Sequence, residues 1–160
     1  MTPIAQAGAA AILALGAGAA TVSVMRPDAP AVAIPAAPWA AGHALDGRVF
    51  ETVDTVGDPG KVMTDTLRFA DGRFQSERCQ EYCDFGWSTY LTWYEGDTIH
   101  FTVTTTCPEA PHSVVWHGTV QGGTLRHEAT WTTRRWYWTR HIAATGQGTE
   151  VPPAVGASEG

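Results

Sequence analysis

Hydrophobic and polar residues alternate with a period of two through the middle of the chain. In the clearest run, Ile99, Phe101 and Val103 alternate with threonine and histidine residues. The same alternation recurs in residues 114–120 and 125–132. Successive side chains of a strand point to opposite faces of its sheet, so this pattern predicts strands with one buried face and one solvated face.

Short glycine-containing turns separate these runs. They are Asp71-Gly72, Glu95-Gly96-Asp97 and Gly122-Gly123, and because glycine tolerates positive φ they predict tight hairpins. We predict eight strands, at about residues 47–55, 64–70, 73–79, 88–94, 98–106, 113–121, 124–133 and 137–145. A meander of eight strands removes its exposed edges by closing on itself. The predicted fold class is therefore all-β, an eight-stranded antiparallel up-and-down barrel preceded by an N-terminal hydrophobic helix.

The first 25 residues are almost free of charge. Residues 4–25 contain no Asp, Glu, Lys or Arg, and as a helix they would extend about 33 Å, enough to cross a bilayer core. One interpretation is a secretory signal peptide with a cleavage site at Ala17-Gly18-Ala19, and another is an uncleaved signal anchor that ends at Met25-Arg26-Pro27. A soluble alanine-rich helix or a disordered leader is the third. We expect one of the first two, and of these the retained transmembrane helix would keep the chain in contact with a membrane.

Small residues follow each other at a spacing of four along one line of this segment. They are Ala10, Ala14 and Gly18, and such a line lets helix backbones approach closely within a membrane. This favours a contact with integral membrane protein subunits. The alternative is that alanine and glycine are simply abundant here.

The remaining chain divides into three parts. Residues 26–45 contain four prolines and predict an extended linker. Residues 46–146 hold the predicted barrel, and the Gly/Pro/Ala-rich residues 147–160 predict a disordered tail.

Charge excludes several classes of partner. The chain has 16 acidic and 10 basic residues, for a formal charge of −6 at pH 7. Nucleic acid is not an expected partner, because its binding requires a basic face. With a single lysine, no polybasic patch for a membrane surface is expected either.

Several motifs resemble those of lipocalin-like (calycin-type) small barrels, especially small extracytoplasmic domains of bacteria. The resemblance rests on residues 69–76 with Cys79 after them, on residues 116–120, and on Leu125 with Trp131 six residues later. Residues 47–51 are similar to the lipocalin G-x-W opening, with valine in the place of tryptophan. The resemblance implies a barrel that binds a small hydrophobic ligand, and it implies no catalytic residues.

One set of predicted inward-facing residues provides a candidate ligand-binding site. If aromatic side chains line a slot rather than fill the barrel, they could bind a flat apolar ligand. Histidine on this face needs a hydrogen-bond partner or a ligand, and a satisfied core histidine is the alternative. The candidates are Phe69, Phe74, Phe101, Trp116, His127 and Trp131. Two further histidines, His100 and His117, are expected as a pair on the outer face.

Three cysteines suggest a disulfide. We expect either Cys79 or Cys83 to pair with Cys107 at one rim of the barrel, which suits an oxidising compartment. The third thiol would be free or would pair between chains. A zinc site that includes His112 is the alternative.

Residues 134–140 alternate cations with large aromatic rings. The run is either a self-contained cation–π feature or a contact patch, since tryptophan, tyrosine and arginine dominate interface hot spots. The candidate partner-contact residues are Arg134, Arg135, Trp136 and Trp138, together with the small residues of the N-terminal segment.

No complete catalytic or phosphate-binding motif is present. We therefore predict a non-enzymatic binding domain without a cofactor, located in the periplasm or another extracytoplasmic compartment and anchored in the inner membrane. Its ligand would be a small hydrophobic molecule or a protein neighbour. An accessory structural subunit of a membrane complex is the second hypothesis. A hydrolase or isomerase that uses His127 and Glu81 is the third.

Overall fold

The computed structural model describes residues 32–152. The predicted hydrophobic helix, the small residues Ala10, Ala14 and Gly18, and residues 153–160 of the tail lie outside the described residues. The elements are β1 (Ala40–Ala41), β2 (Val49–Val56), β3 (Lys61–Ala70), β4 (Arg73–Ser76), α1 (Glu77–Cys83), β5 (Ser88–Glu95), β6 (Thr98–Thr106), β7 (His112–Gln121), β8 (Thr124–Arg135) and β9 (Trp138–Glu150).

Strands β2 to β9 form a closed ring. Each pairs antiparallel with the next along the chain, and β9 pairs with β2 from Phe50↔Glu150 to Val56↔Ala144. The prediction of an all-β fold with eight antiparallel strands in up-and-down order is confirmed. The ring has two ends: the Leu45 end carries Leu45 and the turn at Asp71-Gly72, whereas the helix end carries α1 and the β8–β9 turn.

The hairpins form where the turn chemistry predicts them. Asp71 and Gly72 join β3 to β4 with φ of 51° and 71°, and Gly122 begins the β7–β8 turn with φ of 56°. Positive φ at the two central residues gives a turn whose twist matches that of the flanking strands. The alternation of buried and exposed residues in β6 and β7 follows the predicted period of two.

The strand predicted at residues 73–79 is wrong in its second half. β4 ends at Ser76, and residues 77–83 form α1, so Cys79 lies in a helix rather than at a strand end. The Ser76 hydroxyl accepts a hydrogen bond from the Cys79 backbone amide at 3.1 Å, and Asp84 ends the helix in the left-handed conformation. The serine N-cap therefore overrides the alternation that favours a strand.

Both predicted boundaries of the domain differ from the structure. Residues 32–41, called the strap below, cross the outside of the ring, where β1 pairs with β5 and the Val32 amide donates to Thr130 Oγ1 at 2.8 Å. Leu45 is fully buried. β9 extends to Glu150, whose carboxylate pairs with Arg48. Residues 32–45 and 147–150, expected in the linker and the tail, are therefore part of the folded unit.

The core inside the ring is aromatic. Its seven aromatic residues are Phe50, Phe69, Phe74, Phe85, Tyr90, Phe101 and Trp116. A Cβ atom on Gly118 would collide with the ring of Phe101, so this glycine allows the aromatic core to pack. Among residues 32–152, no helix combines the length and the apolar character that crossing a bilayer requires.

Candidate functional site

Five of the six predicted ligand-binding residues lie together inside the ring. The Phe69 centroid lies 5.2 Å from those of Phe74 and Phe101, and Phe74 lies 5.2 Å from Trp116. The Trp116 ring in turn lies 5.2 Å from that of His127. These are the distances of directly packed rings, and all five side chains are buried. The arrangement matches an aromatic core.

Trp131, the sixth candidate, lies at the helix end and is only partly buried. Its ring packs against Phe85 at 5.3 Å and against Tyr82 of α1 at 5.0 Å. It therefore supports the helix that covers this end of the ring, apart from the other five candidates.

His127 has a carboxylate partner that the sequence analysis missed. Its Nε2 atom lies 3.1 Å from Asp54 Oδ1, and both side chains are buried. The two residues stand on β8 and β2, with Gly146 of β9 between them. A Cβ atom on Gly146 would collide with both groups. The one signal in the sequence is the alternation within β2. Asp54 lies two residues after Thr52, and both belong to the buried face of this strand.

A second buried carboxylate faces the start of α1. Asp65 accepts hydrogen bonds from Ser76 Oγ at 2.5 Å and from the Arg78 backbone amide at 3.0 Å. Burial raises the pKa of Asp65 despite these hydrogen bonds. Burial also raises the pKa of the nearby Cys79 thiol to about 11. A cysteine nucleophile needs a lowered pKa, so Cys79 is unsuited to catalysis at neutral pH.

The disulfide joins Cys83 to Cys107, whose Cα atoms are 5.7 Å apart, and Cys79 is a free thiol. It ties the end of α1 to the residue after β6. The alternative zinc site would consist of the three cysteines and His112. The disulfide removes two of these four ligands. Within residues 32–152, no group of three or more histidine, cysteine, aspartate or glutamate residues is placed to hold a metal ion.

The two residues of the hydrolase hypothesis are not brought together. Glu81 lies on the exposed side of α1 and pairs with Arg78 at 2.9 Å, whereas His127 is buried inside the ring with Asp54. Glu51 and Glu77 line the same depression as Glu81, which has a volume of about 640 Å³ and a mainly polar lining. The structure therefore offers no histidine to this group of carboxylates.

His100 and His117 form the predicted pair on the outer face. Their ring centroids are 5.9 Å apart, and the Trp93 ring stacks on His100 at 4.3 Å. Trp39 of the strap packs edge-on against His117 at 6.1 Å. Burial, followed by the charge of His100, lowers the pKa of His117. The histidine pair thus helps to hold the strap.

An open groove lies on the outer face of β2, β9, β8 and β7. Its volume is about 570 Å³, within the usual range for small-molecule sites. Val53 provides an apolar wall, and Arg126, Glu128 and His117 provide polar groups. The sequence analysis missed this groove, because it depends on which strands become neighbours when the ring closes.

The predicted partner-contact residues of the β8–β9 hairpin lie together at its turn. Trp136 and Tyr137 are the two turn residues, and Arg135 is paired with Trp138. Trp136 is 94% exposed, and its ring contacts that of Tyr137 at 4.9 Å. Residues 134–138 are called the hairpin tip below.

Comparison with known proteins finds no family model, curated protein or solved structure that matches this chain.

Proposed function

We propose that this chain is a non-enzymatic binding domain of an extracytoplasmic compartment, a lipocalin-like barrel tethered to the membrane by residues 1–25. The closed ring of eight strands supports the barrel. The Cys83–Cys107 disulfide supports an oxidising compartment. The uncharged residues 4–25 support the tether. The raised pKa of Cys79 argues against this thiol as a nucleophile, and the separation of His127 from Glu81 argues against these two residues as a catalytic pair.

We assign binding to the outer groove rather than to the interior. The observation that carries this choice is that the inner aromatic rings are in direct contact with each other, whereas the groove is open to solvent. Val53 would contact the apolar body of a ligand, and Arg126 would pair with an anionic group on it. Glu128 also lines the groove and would repel an anionic group placed beside it. The ligand class is therefore a small apolar molecule with an anionic group placed at Arg126.

An amphipathic anionic dye, anilinonaphthalene sulfonate, tests this assignment because it has both features. We expect Val53→Asp and Arg126→Gln each to weaken dye binding to the full chain, as measured by fluorescence titration. Val62→Asp is the matched control, since Val62 is also an exposed valine, on the neighbouring strand β3, and does not line the groove.

Equal dye affinity in wild type, Val53→Asp and Val62→Asp would contradict the groove assignment. A second measurement separates the two sites. Loss of binding in Phe101→Ala, with folding verified by circular dichroism and with binding retained in Val53→Asp, would move the ligand to the interior of the ring.

A further inference from the structure

The hairpin tip projects beyond the ring at the helix end. β7 pairs with β8 as far as His112↔Thr133, and β2 pairs with β9 only from Ala144 onward. The pairs Arg134↔Thr139 and Arg135↔Trp138 therefore have no further strand beside them, and the Arg134 amide, which donates to the Pro111 carbonyl at 2.9 Å, is the last backbone contact with the rest of the ring. The tip is a narrow convex protrusion that ends in Trp136 and Tyr137.

The side chains of the tip combine positive charge with exposed aromatic rings. Arg134 and Arg135 of the tip and Arg140, two residues after it, are exposed, and within residues 32–152 none of their guanidinium groups forms an ion pair. No acidic residue stands between Glu128 and Glu150, although the whole chain has a charge of −6. The stretch of chain that contains the tip is thus cationic in an acidic protein.

The path of the chain brings the predicted membrane tether to the strand that ends in the tip. Val32, the first described residue, is hydrogen-bonded to Thr130 on β8, four residues before Arg134. Residues 26–31 span at most about 20 Å between Val32 and the uncharged segment. From Thr130 to Trp136 the strand also advances about 20 Å. A bilayer that holds residues 4–25 therefore lies within reach of the tip.

The shape of the tip decides between a bilayer and a protein as its partner. A stable protein interface buries about 800 Å² on each side, which a five-residue convex turn cannot provide. Binding to a bilayer surface requires no such buried area, because single tryptophan and tyrosine rings insert at the level of the headgroups. Arginine side chains beside them attract anionic lipids.

We infer that the hairpin tip docks on the surface of the anionic bilayer that holds the N-terminal segment. Trp136 and Tyr137 enter the headgroup layer, and Arg134 and Arg135 bind lipid phosphates. This inference rests on the membrane tether of the proposed function. It adds a second attachment point, which fixes the orientation of the ring relative to the membrane.

Quenching of tryptophan fluorescence by brominated lipids tests the inference. The full chain is reconstituted into vesicles of brominated phosphatidylcholine, with or without phosphatidylglycerol. All seven tryptophans lie between residues 39 and 138, so the tether itself contributes no signal. We expect quenching in the anionic vesicles, and we expect Trp136→Phe/Trp138→Phe to lose most of it, because phenylalanine preserves docking but removes the fluorophores.

Trp87→Phe is the matched control and is expected to keep the quenching. Trp87 is 39% exposed, close to the 40% of Trp138, and it precedes β5 on the opposite side of the ring from β9. In Arg134→Gln/Arg135→Gln, quenching should become equal in neutral and anionic vesicles.

The two levels of the proposal fail in different ways. If the chain sediments with the vesicles but Trp136→Phe/Trp138→Phe is quenched as strongly as wild type, the tip does not touch lipid and the inference is overturned. Cross-linking of the tip to a protein in native membranes, without quenching, would overturn it in favour of a protein partner. If the chain does not sediment with vesicles at all, the tether and the inference both fail.

Discussion

His127 and Asp54 meet above Gly146, with 3.1 Å between Nε2 and Oδ1, although they belong to strands that are not neighbours in the ring. The absence of a side chain on Gly146 makes this contact feasible. The pair thus links β8 directly to β2 across β9, at the strand where the ring closes.

The first prediction concerns Gly146. In Gly146→Ala the added methyl group would collide with both Asp54 and His127, so we expect a loss of about 2–4 kcal/mol in the free energy of unfolding. Urea denaturation measures it. Gly123→Ala is the control, because its nearest neighbour, Glu150 Cβ, is 3.9 Å away. Equal stabilities of the two variants would show that the pair does not depend on the glycine.

The second prediction concerns the pair itself. Asp54→Ala and His127→Ala each leave a buried polar partner behind, and each should destabilise the fold by about 3–5 kcal/mol. The double variant should lose clearly less than the sum of the two single losses, with a coupling of about 1–3 kcal/mol. A double-mutant cycle of chemical denaturation gives this coupling. Strict additivity would mean that the two side chains do not interact.

The third prediction concerns the cysteines. The Cys83–Cys107 disulfide closes a loop with a sequence separation of 24, and Cys83→Ser/Cys107→Ser should lower the free energy of unfolding by about 3 kcal/mol. Cys79→Ser, which leaves the disulfide intact, separates this effect from the loss of a buried thiol. A non-reduced chain with three titratable thiols after denaturation would refute the pairing.

The free thiol provides a fourth test, based on pH. Burial raises the pKa of Cys79 from an ordinary 9.0 to about 11 in the folded state. Because the folded state holds this proton more tightly, the contribution of Cys79 to stability is fully present below pH 9 and is lost between about pH 9 and 11. We expect slow alkylation by iodoacetamide at pH 9 in the native chain and fast alkylation in urea. Equal rates would contradict the burial of Cys79.

The fifth prediction concerns the pH dependence of stability that His117 causes. Its sign is opposite to that of Cys79. Burial and the charge of His100 lower the pKa of His117 below its ordinary 6.5. The unfolded state therefore binds more protons in this range, so stability should fall as the pH drops below about 6.5. His117→Gln should flatten the profile of unfolding free energy between about pH 5 and 7. An unchanged slope would show that His117 does not titrate differently on folding.

The sequence predicted the strands well because alternation and turn chemistry act locally. β6 was predicted with its observed bounds, and the turns at Asp71-Gly72 and Gly122-Gly123 lie where the glycines allow them. α1 was missed because its start depends on one hydrogen bond that the Cys79 backbone amide donates to the Ser76 hydroxyl. A pattern of hydrophobicity does not carry that information.

The features of the candidate site depend on contacts that are distant in sequence. Asp54 and His127 are 73 residues apart, and their contact follows from the order of strands around the closed ring. The groove beside Val53 has the same origin. The inward orientation of the aromatic residues, by contrast, was predictable because it requires only the parity of each position within its own strand.

The strap has a consequence for the smallest chain that can fold. β4 pairs with β5 only at Ser88 and Thr89, and β1 occupies the same edge of β5 further along, at Leu91 and Thr92. A fragment cut at residue 46, where composition places the domain boundary, would lose β1 and Leu45 together. Its ladder would then have an open gap, to which a strand of a second copy can add. We therefore expect residues 32–45 to keep this edge of β5 from pairing with a strand of another chain.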